Sequence, residues 1–373
     1  MTNRERLLRV LDGRPVDRVP VWLLFPYHAA PYYVDVRNHP SYRPVFERSK
    51  ARAIMLNRRN PSVSAYPSVP VETEELNEGL AKITRQRWRY DGVELYSEVV
   101  QQADGSRVKK LLETDEELTM LATLPVDTEP RSVSRQLDRW LPQYLKEKDE
   151  FPEEFGAMML DLGEPIGPLY HHSNLESLSV WSLTHNGLVV DLLDRYMEHK
   201  RLVYRYCLER DLADVYFMVG SELAAPPMVS RATFQQWIVR YGQELVDLVH
   251  SYGKKVIMHF HGQIREILPD FVTMGPDGLH TIEAPPVGNC TIDEAFSVVG
   301  DAITLIGNVQ YDCFRSYTPQ EMKDEVRRVI GEARARRFIL SPTAGPYDGN
   351  ISQMVVENYL AFLDAAWDAG KIE

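Results

Sequence analysis

The 373-residue chain predicts an α/β fold, a (β/α)8 TIM barrel with an N-terminal β-meander and helical elaboration. Two observations lead there. From about residue 153 onward, short apolar strands alternate with helical stretches, the pattern of parallel strands covered by helices. With the earlier strands included there is material for about eight such units, and a closed barrel of eight is an ordinary single domain at this length. An open doubly wound sheet fits the same alternation. No Gly-x-Gly-x-x-Gly follows any strand, which lowers the dinucleotide-binding version of that sheet.

Asn3 can cap a first helix that carries Leu7, Leu8, Val10 and Leu11 on one side, and Gly13-Arg-Pro15 stops it. Arg18–Phe25 reads as a first buried strand. A loop dense in Tyr27, His28, Tyr32, Tyr33, His39 and Tyr42 follows, either lining a pocket or packing as a lid. Ala53–Leu56 is a short strand. Lys82–Tyr90 alternates, and Glu98–Gln102 with Val108–Leu112 reads as a hairpin around Ala103-Asp-Gly105. These features place an inserted elaboration at about 57–130 within one domain spanning 1–373. Strands are then expected at 157–160, 215–219, 256–258, 278–282, 303–306 and 338–340. Helices are expected at 189–210, 231–252, 292–299 and 318–335.

Acidic residues (54) outnumber basic ones (42), for a net charge of -12. That argues against non-specific nucleic-acid binding and against docking on an anionic membrane. Cys207, Cys290 and Cys313 are scattered without a Cys-x-x-Cys, so a disulfide framework is not expected and a reducing cytoplasm fits. The polar start and the lack of a long apolar run point to no signal peptide and no membrane span.

Function in such a barrel sits where strands end. His259 and His261 follow the strand Val256–Met258. As residues i and i+2 they can present both imidazoles on one side, with Gly262 turning the backbone away. The pair reads either as metal ligands or as hydrogen-bonded histidines at a pocket edge. Glu283 ends the next strand, about 4.8 Å away, so its carboxylate can share an ion with both imidazoles. Two histidines and a carboxylate are a catalytic zinc set with one position open. The alternative is a charged cluster in which Glu283 only orients His259. Other strand-end candidates are Glu222 (general acid, supporting group or helix cap), His171 and His172 (substrate contact) and Asn308 (cofactor contact).

At these residues the chain resembles the uroporphyrinogen decarboxylase superfamily, in particular its cobalamin-linked and cobalamin-independent methyltransferase branch. The likeness runs from the opening helix and Asp17-Arg-Val-Pro-Val-Trp22 through Ile306-Gly-Asn-Val309 to Phe338-Ile-Leu-Ser-Pro342. It implies a TIM barrel with an N-terminal elaboration. The decarboxylases carry Arg-Gln-Ala-Gly-Arg soon after the first strand. Here that region is Leu24-Phe-Pro-Tyr-His28, so porphyrinogen decarboxylation is not expected. The methyltransferase branch binds zinc through His-x-Cys, in some members a Glu on the next strand, and a Cys near the last strand. Those positions fall on His259, His261, Glu283 and Ala344, so the frame is kept and both thiolates are gone.

Two neutral imidazoles and one carboxylate leave about one net positive charge on a divalent ion, which makes it harder and favours oxygen donors. The resemblance therefore implies the first methyltransferase of an O-demethylase system. It would move a methyl group from an aryl methyl ether, its small-molecule donor, to the Co(I) corrinoid (cobalamin) of a partner protein. Zn2+ would act on the ether oxygen. Tyr27, His28 and Tyr32 would form an aromatic wall, and Glu222 or His171 would orient the ring. Two other readings stay open: a zinc-dependent hydrolase or decarboxylase working without corrinoid, and a ligand-binding barrel whose metal frame has decayed.

Overall fold

The computed structural model describes residues 1–333 and 336–372. In chain order its strands are β1 (Met55–Arg59), β2 (Val71–Glu78), β3 (Ala81–Tyr90), β4 (Val93–Gln102), β5 (Gly105–Lys109), β6 (Gly156–Asp161), β7 (Val215–Val219), β8 (Lys255–Phe260), β9 (Gly278–Thr281), β10 (Thr304–Val309) and β11 (Phe338–Pro342). β1 and β6 to β11 form one parallel sheet, in the order β1-β6-β7-β8-β9-β10-β11. The segment expected as the first strand bridges both edges of this sheet. Val21 pairs with Leu340 and Trp22 with Ile54, both in parallel. Trp22 N–H donates to the Leu340 carbonyl at 2.9 Å, and Ile54 N–H donates to that of Val21 at 2.7 Å. The pairing stays this short because Pro20 brings no N–H to a ladder and Leu24 turns into the left-handed region at φ 61°.

Alternation along the strands separates two cores. Val256, Met258 and Phe260 of β8 face the layer shared with the helices. Ile257 packs with Trp22, Phe217, Ile306 and Ile339 in the second cluster, inside the curl of the sheet. The first helix, Asn3–Leu11, plugs one end of that interior with Leu7, Val10 and Leu11. Its Arg4 guanidinium donates to the Gly156 carbonyl at 3.2 Å and to Asp214 at 2.7 Å, tying the plug to the starts of β6 and β7. The helix is capped by Thr2, not by Asn3 as expected. Thr2 and Glu5 form a reciprocal capping box. Asn3 is drawn off by the Lys50 and Ala53 carbonyls, to which its amide donates at 3.2 and 2.8 Å.

β2 to β5 make a separate antiparallel sheet. β3 and the turn of the β4–β5 hairpin fall where expected, while β4 and β5 start five and three residues earlier than the expected 98 and 108. β2 went unrecognised because its run of acidic residues is exposed on both faces. Opposite charges hold it in place: Arg89 of β3 pairs with Glu72 at 2.7 Å and Arg87 with Glu74 at 3.4 Å. The helix Pro130–Glu150 also lay outside the expected elements, since Pro142 in its middle reads as a breaker. The helix expected at 231–252 contains a π-turn at Gln235–Val239. Among the described residues no helix is long and apolar enough to cross a membrane.

Gly156 lies opposite Met55 in the β1–β6 pair. A Cβ there would stand 2.0 Å from the Met55 carbonyl oxygen, whereas a Cβ on Gly331 would meet nothing within 4 Å. Gly156→Ala is expected to lower unfolding free energy by about 3 kcal/mol or more in chemical denaturation, with Gly331→Ala unchanged or slightly stabilised. Equal midpoints for the two variants would refute the close approach.

Candidate active site

At the end of the sheet away from the helical plug, strand ends and loops enclose a cavity of about 790 Å³. His259, the inward residue at the end of β8, lines it, and Phe217 and Trp22 form apolar ground beneath. The Phe217 ring centroid is 5.6 Å from that of His259, and the Trp22 centroid is 5.4 Å from that of His280. β8 and β9 are in register at His259 and His280, and the two Nδ1 atoms meet at 2.7 Å.

The hydrogen-bond network assigns the protons of this pair. His280 is fully buried and its Nε2 lies 2.9 Å from the Pro342 carbonyl oxygen. A carbonyl only accepts, so Nε2 carries the His280 proton. Burial pushes His280 down to about 3 and His259 well below the usual imidazole range, so both rings are neutral. His280 Nδ1 is therefore the acceptor and His259 Nδ1–H the donor. His259 Nε2 is left with a bare lone pair, and among the described residues nothing bonds to it. One imidazole thus fixes the tautomer of the other.

His261 points the same way as His259, their rings 4.6 Å apart and nearly perpendicular. Gly262 follows at φ 81°, the left-handed turn that takes the chain out of the strand. Its N–H donates to Glu283 Oε2 at 2.7 Å, and Glu283 Oε1 lies 3.3 Å from His261 Nδ1. Burial works against the Glu283 anion, but the His261 and Gly262 bonds outweigh it and hold the carboxyl below its ordinary range. Burial likewise opposes the His261 cation, and Glu283 raises it. Glu222 sits near this pair. Burial raises its carboxyl, and one of its oxygens accepts the Gly220 N–H at 3.0 Å.

The structure thus gathers His259, His261 and Glu283 into one cluster, of which His259 alone lines the cavity. Among the described residues no three His, Cys, Asp or Glu side chains stand close enough, as placed, to hold a metal ion. The donors nevertheless fit a divalent ion in kind. His259 offers an unprotonated nitrogen, and His261 with Glu283 shares a proton that a cation can replace. Ala344 borders the same cavity and adds no ligand.

Other expectations land differently. Tyr32, His171 and His172 line the cavity. Tyr27 and His28 do not, because the chain turns outward after Phe25. Tyr27 packs edge-on against Phe151 and lies under the Arg37 guanidinium, 4.1 Å from its ring, while His28 bonds Asn57 and Glu150. Asn308 is buried below the cavity, its amide donating to the Ile282 carbonyl at 2.9 Å, which ties down the segment leading to Glu283.

Several cavity groups had no role in the sequence reading. Arg58 at the end of β1 forms a buried ion pair with Asp161 at the end of β6. Glu164 accepts the Ser221 hydroxyl, and burial, against that bond, pushes its carboxyl up to about 7. Lys200, on the helix Asn186–Glu209, donates to the Leu162 carbonyl.

Comparisons with known proteins agree with this architecture. The model of the family described as uroporphyrinogen decarboxylase (URO-D) matches residues 171–367, more than half of the chain. The methylcobamide:CoM methyltransferase MtaA of Methanosarcina barkeri (strain Fusaro / DSM 804) is 23% identical over 318 residues, which cover 83% of this chain and 82% of that protein. The solved structure of a methyltransferase from Methanosarcina mazei superposes with a TM-score of 0.59 at 17% identity, covering 99% of both chains, and so shares the fold. With the family model matched over more than half of its length, the chain belongs to the uroporphyrinogen decarboxylase family.

Proposed function

We propose that the chain is a methyltransferase that moves a methyl group from an aryl methyl ether to the Co(I) corrinoid of a partner protein. The observation that carries this reading is the bare Nε2 of His259 opening into a cavity walled by aromatic rings. The relative named methylcobamide:CoM methyltransferase uses a methylated corrinoid as methyl donor. That likeness supports a corrinoid in the reaction, here proposed in the reverse role of methyl acceptor. Zinc, held by His259, His261 and Glu283, would supply Lewis acidity toward the ether oxygen.

The chain's own residues do the rest. His280 keeps the His259 lone pair aimed at the cavity. The Gly262 N–H holds the Glu283 carboxylate in place beside His261. Tyr32, Tyr33 and Phe217 take the flat ring and exclude water, which strengthens the polar contacts around the reacting oxygen. In the transfer, the Co(I) electron pair forms the new bond to the methyl carbon. The carbon–oxygen pair departs with the phenolate.

The test mixes the purified, zinc-loaded protein with a panel of methoxyarenes and reduced free cobalamin, and follows the cobalt absorbance. Conversion of Co(I) to methyl-Co(III) with a methoxyarene, and not with protein alone, is expected. Failure across the panel would overturn the reading, and consumption of the ether without corrinoid would favour hydrolysis.

A further inference from the structure

We propose that Lys200 anchors a carboxylate on the aromatic substrate, so that the cavity selects methoxylated aromatic acids over neutral aryl ethers. The inference rests on the aryl-ether reading of the cavity and names the substrate class within it.

The cavity wall holds two side chains with a permanent or near-permanent positive charge, Arg58 and Lys200. Arg58 is committed. It pairs with Asp161, contacts the Tyr33 hydroxyl at 3.5 Å, and lies 5.0 Å from the Phe217 ring centroid. Lys200 is not. Its ammonium has three N–H donors. Among the described residues its one hydrogen bond goes to the Leu162 carbonyl, and no carboxylate stands within 4.0 Å of it. The nearby acids have other partners: Asp161 takes Arg58, and Glu164 takes the Ser221 hydroxyl. Burial pulls Lys200 down to about 8, against the attraction of Asp161 and Glu164, and leaves it largely charged at neutral pH. A sheltered ammonium with unused donors is costly unless a ligand satisfies it.

The surroundings say which ligand. Tyr66, Trp88 and Tyr170 line the same wall, with Trp88 edge-on to Tyr66 at 5.6 Å, so a planar ring is accommodated. One spare cation beside two carboxyl groups suits a single negative charge. A dianion such as a phosphate monoester would face repulsion from Asp161 and Glu164. A benzoate-type acid meets both conditions.

Calorimetric titration with 3-methoxybenzoate and with neutral 3-methoxybenzyl alcohol tests this without requiring turnover. The wild-type protein is expected to bind the acid at least about tenfold more tightly. Lys200→Met should erase that preference and leave the alcohol's affinity unchanged, while Lys200→Arg keeps part of it. Equal affinities in the wild type, binding of neither ligand, or an acid preference that survives in Lys200→Met would overturn the proposal. If Lys200→Met does not fold, the wild-type ratio and the Lys200→Arg variant decide it. Acid preference without any methyl transfer would count against the demethylation reading alone.

Discussion

His259→Ala is expected to abolish corrinoid methylation, with a loss of at least about a hundredfold, and to leave the purified protein short of stoichiometric zinc. The side chain lies at a strand end, above a core that does not depend on it, so the fold should survive. His280→Phe separates tautomer control from ligation. It keeps a flat ring in the buried space and removes the acceptor of His259 Nδ1–H. Its expected cost is about ten- to a hundredfold in zinc affinity, a milder loss than that of His259→Ala. Metal analysis after dialysis and the initial rate of methyl-Co(III) formation read the two effects separately. Full zinc content and full rate in His259→Ala would remove the central ligand from the scheme. Equal damage from both variants would mean that His280 does more than set a tautomer.

Buried His199 is expected to cost the protein stability on acidification before most of its carboxylates are protonated, although Glu164, raised to about 7, acts in the opposite direction. His199 is 2% exposed, and its Nδ1–H donates to the Asp127 carbonyl at 2.7 Å. Burial pushes it down to about 4, below the unfolded value of about 6.5. Between those two values the unfolded chain takes up a proton and the folded chain does not, so stability falls as pH drops from about 6.5 to about 4 and this contribution is level outside that window. The full effect is about 3 kcal/mol. His172, held edge-on to Trp88 and also lowered to about 4 by burial, acts in the same direction. Urea unfolding at stepped pH measures the slope, and His199→Asn, which can keep the donor to Asp127, should flatten it. An unaltered slope in that variant would remove His199 from the acid response.

The strand-end chemistry was readable wherever it followed from spacing along one strand. His259 and His261 face the same way because the side-chain period of a strand is two, and Gly262 turns as its lack of a side chain allows. Glu283 was reachable because it lies at the end of the neighbouring strand. His280 was hidden by register: it sits inside a run that reads as plain buried strand, and only the pairing of β8 with β9 sets it against His259. Lys200 was hidden by tertiary placement, since mid-helix lysines usually face solvent. Tyr27 and His28 were misplaced because an aromatic loop carries no indication of the direction in which it leaves the sheet.

Trp88 belongs to β3, in the appended antiparallel sheet, yet it borders the same cavity as His259. The candidate-site imidazoles stand on strands of the parallel sheet packed against core on both faces, where change is costly. The tryptophan rides on a salt-bridged flap with an exposed outer face, where change is cheap. Substitutions on the flap can thus reshape the cavity while the strand-end histidines stay as they are.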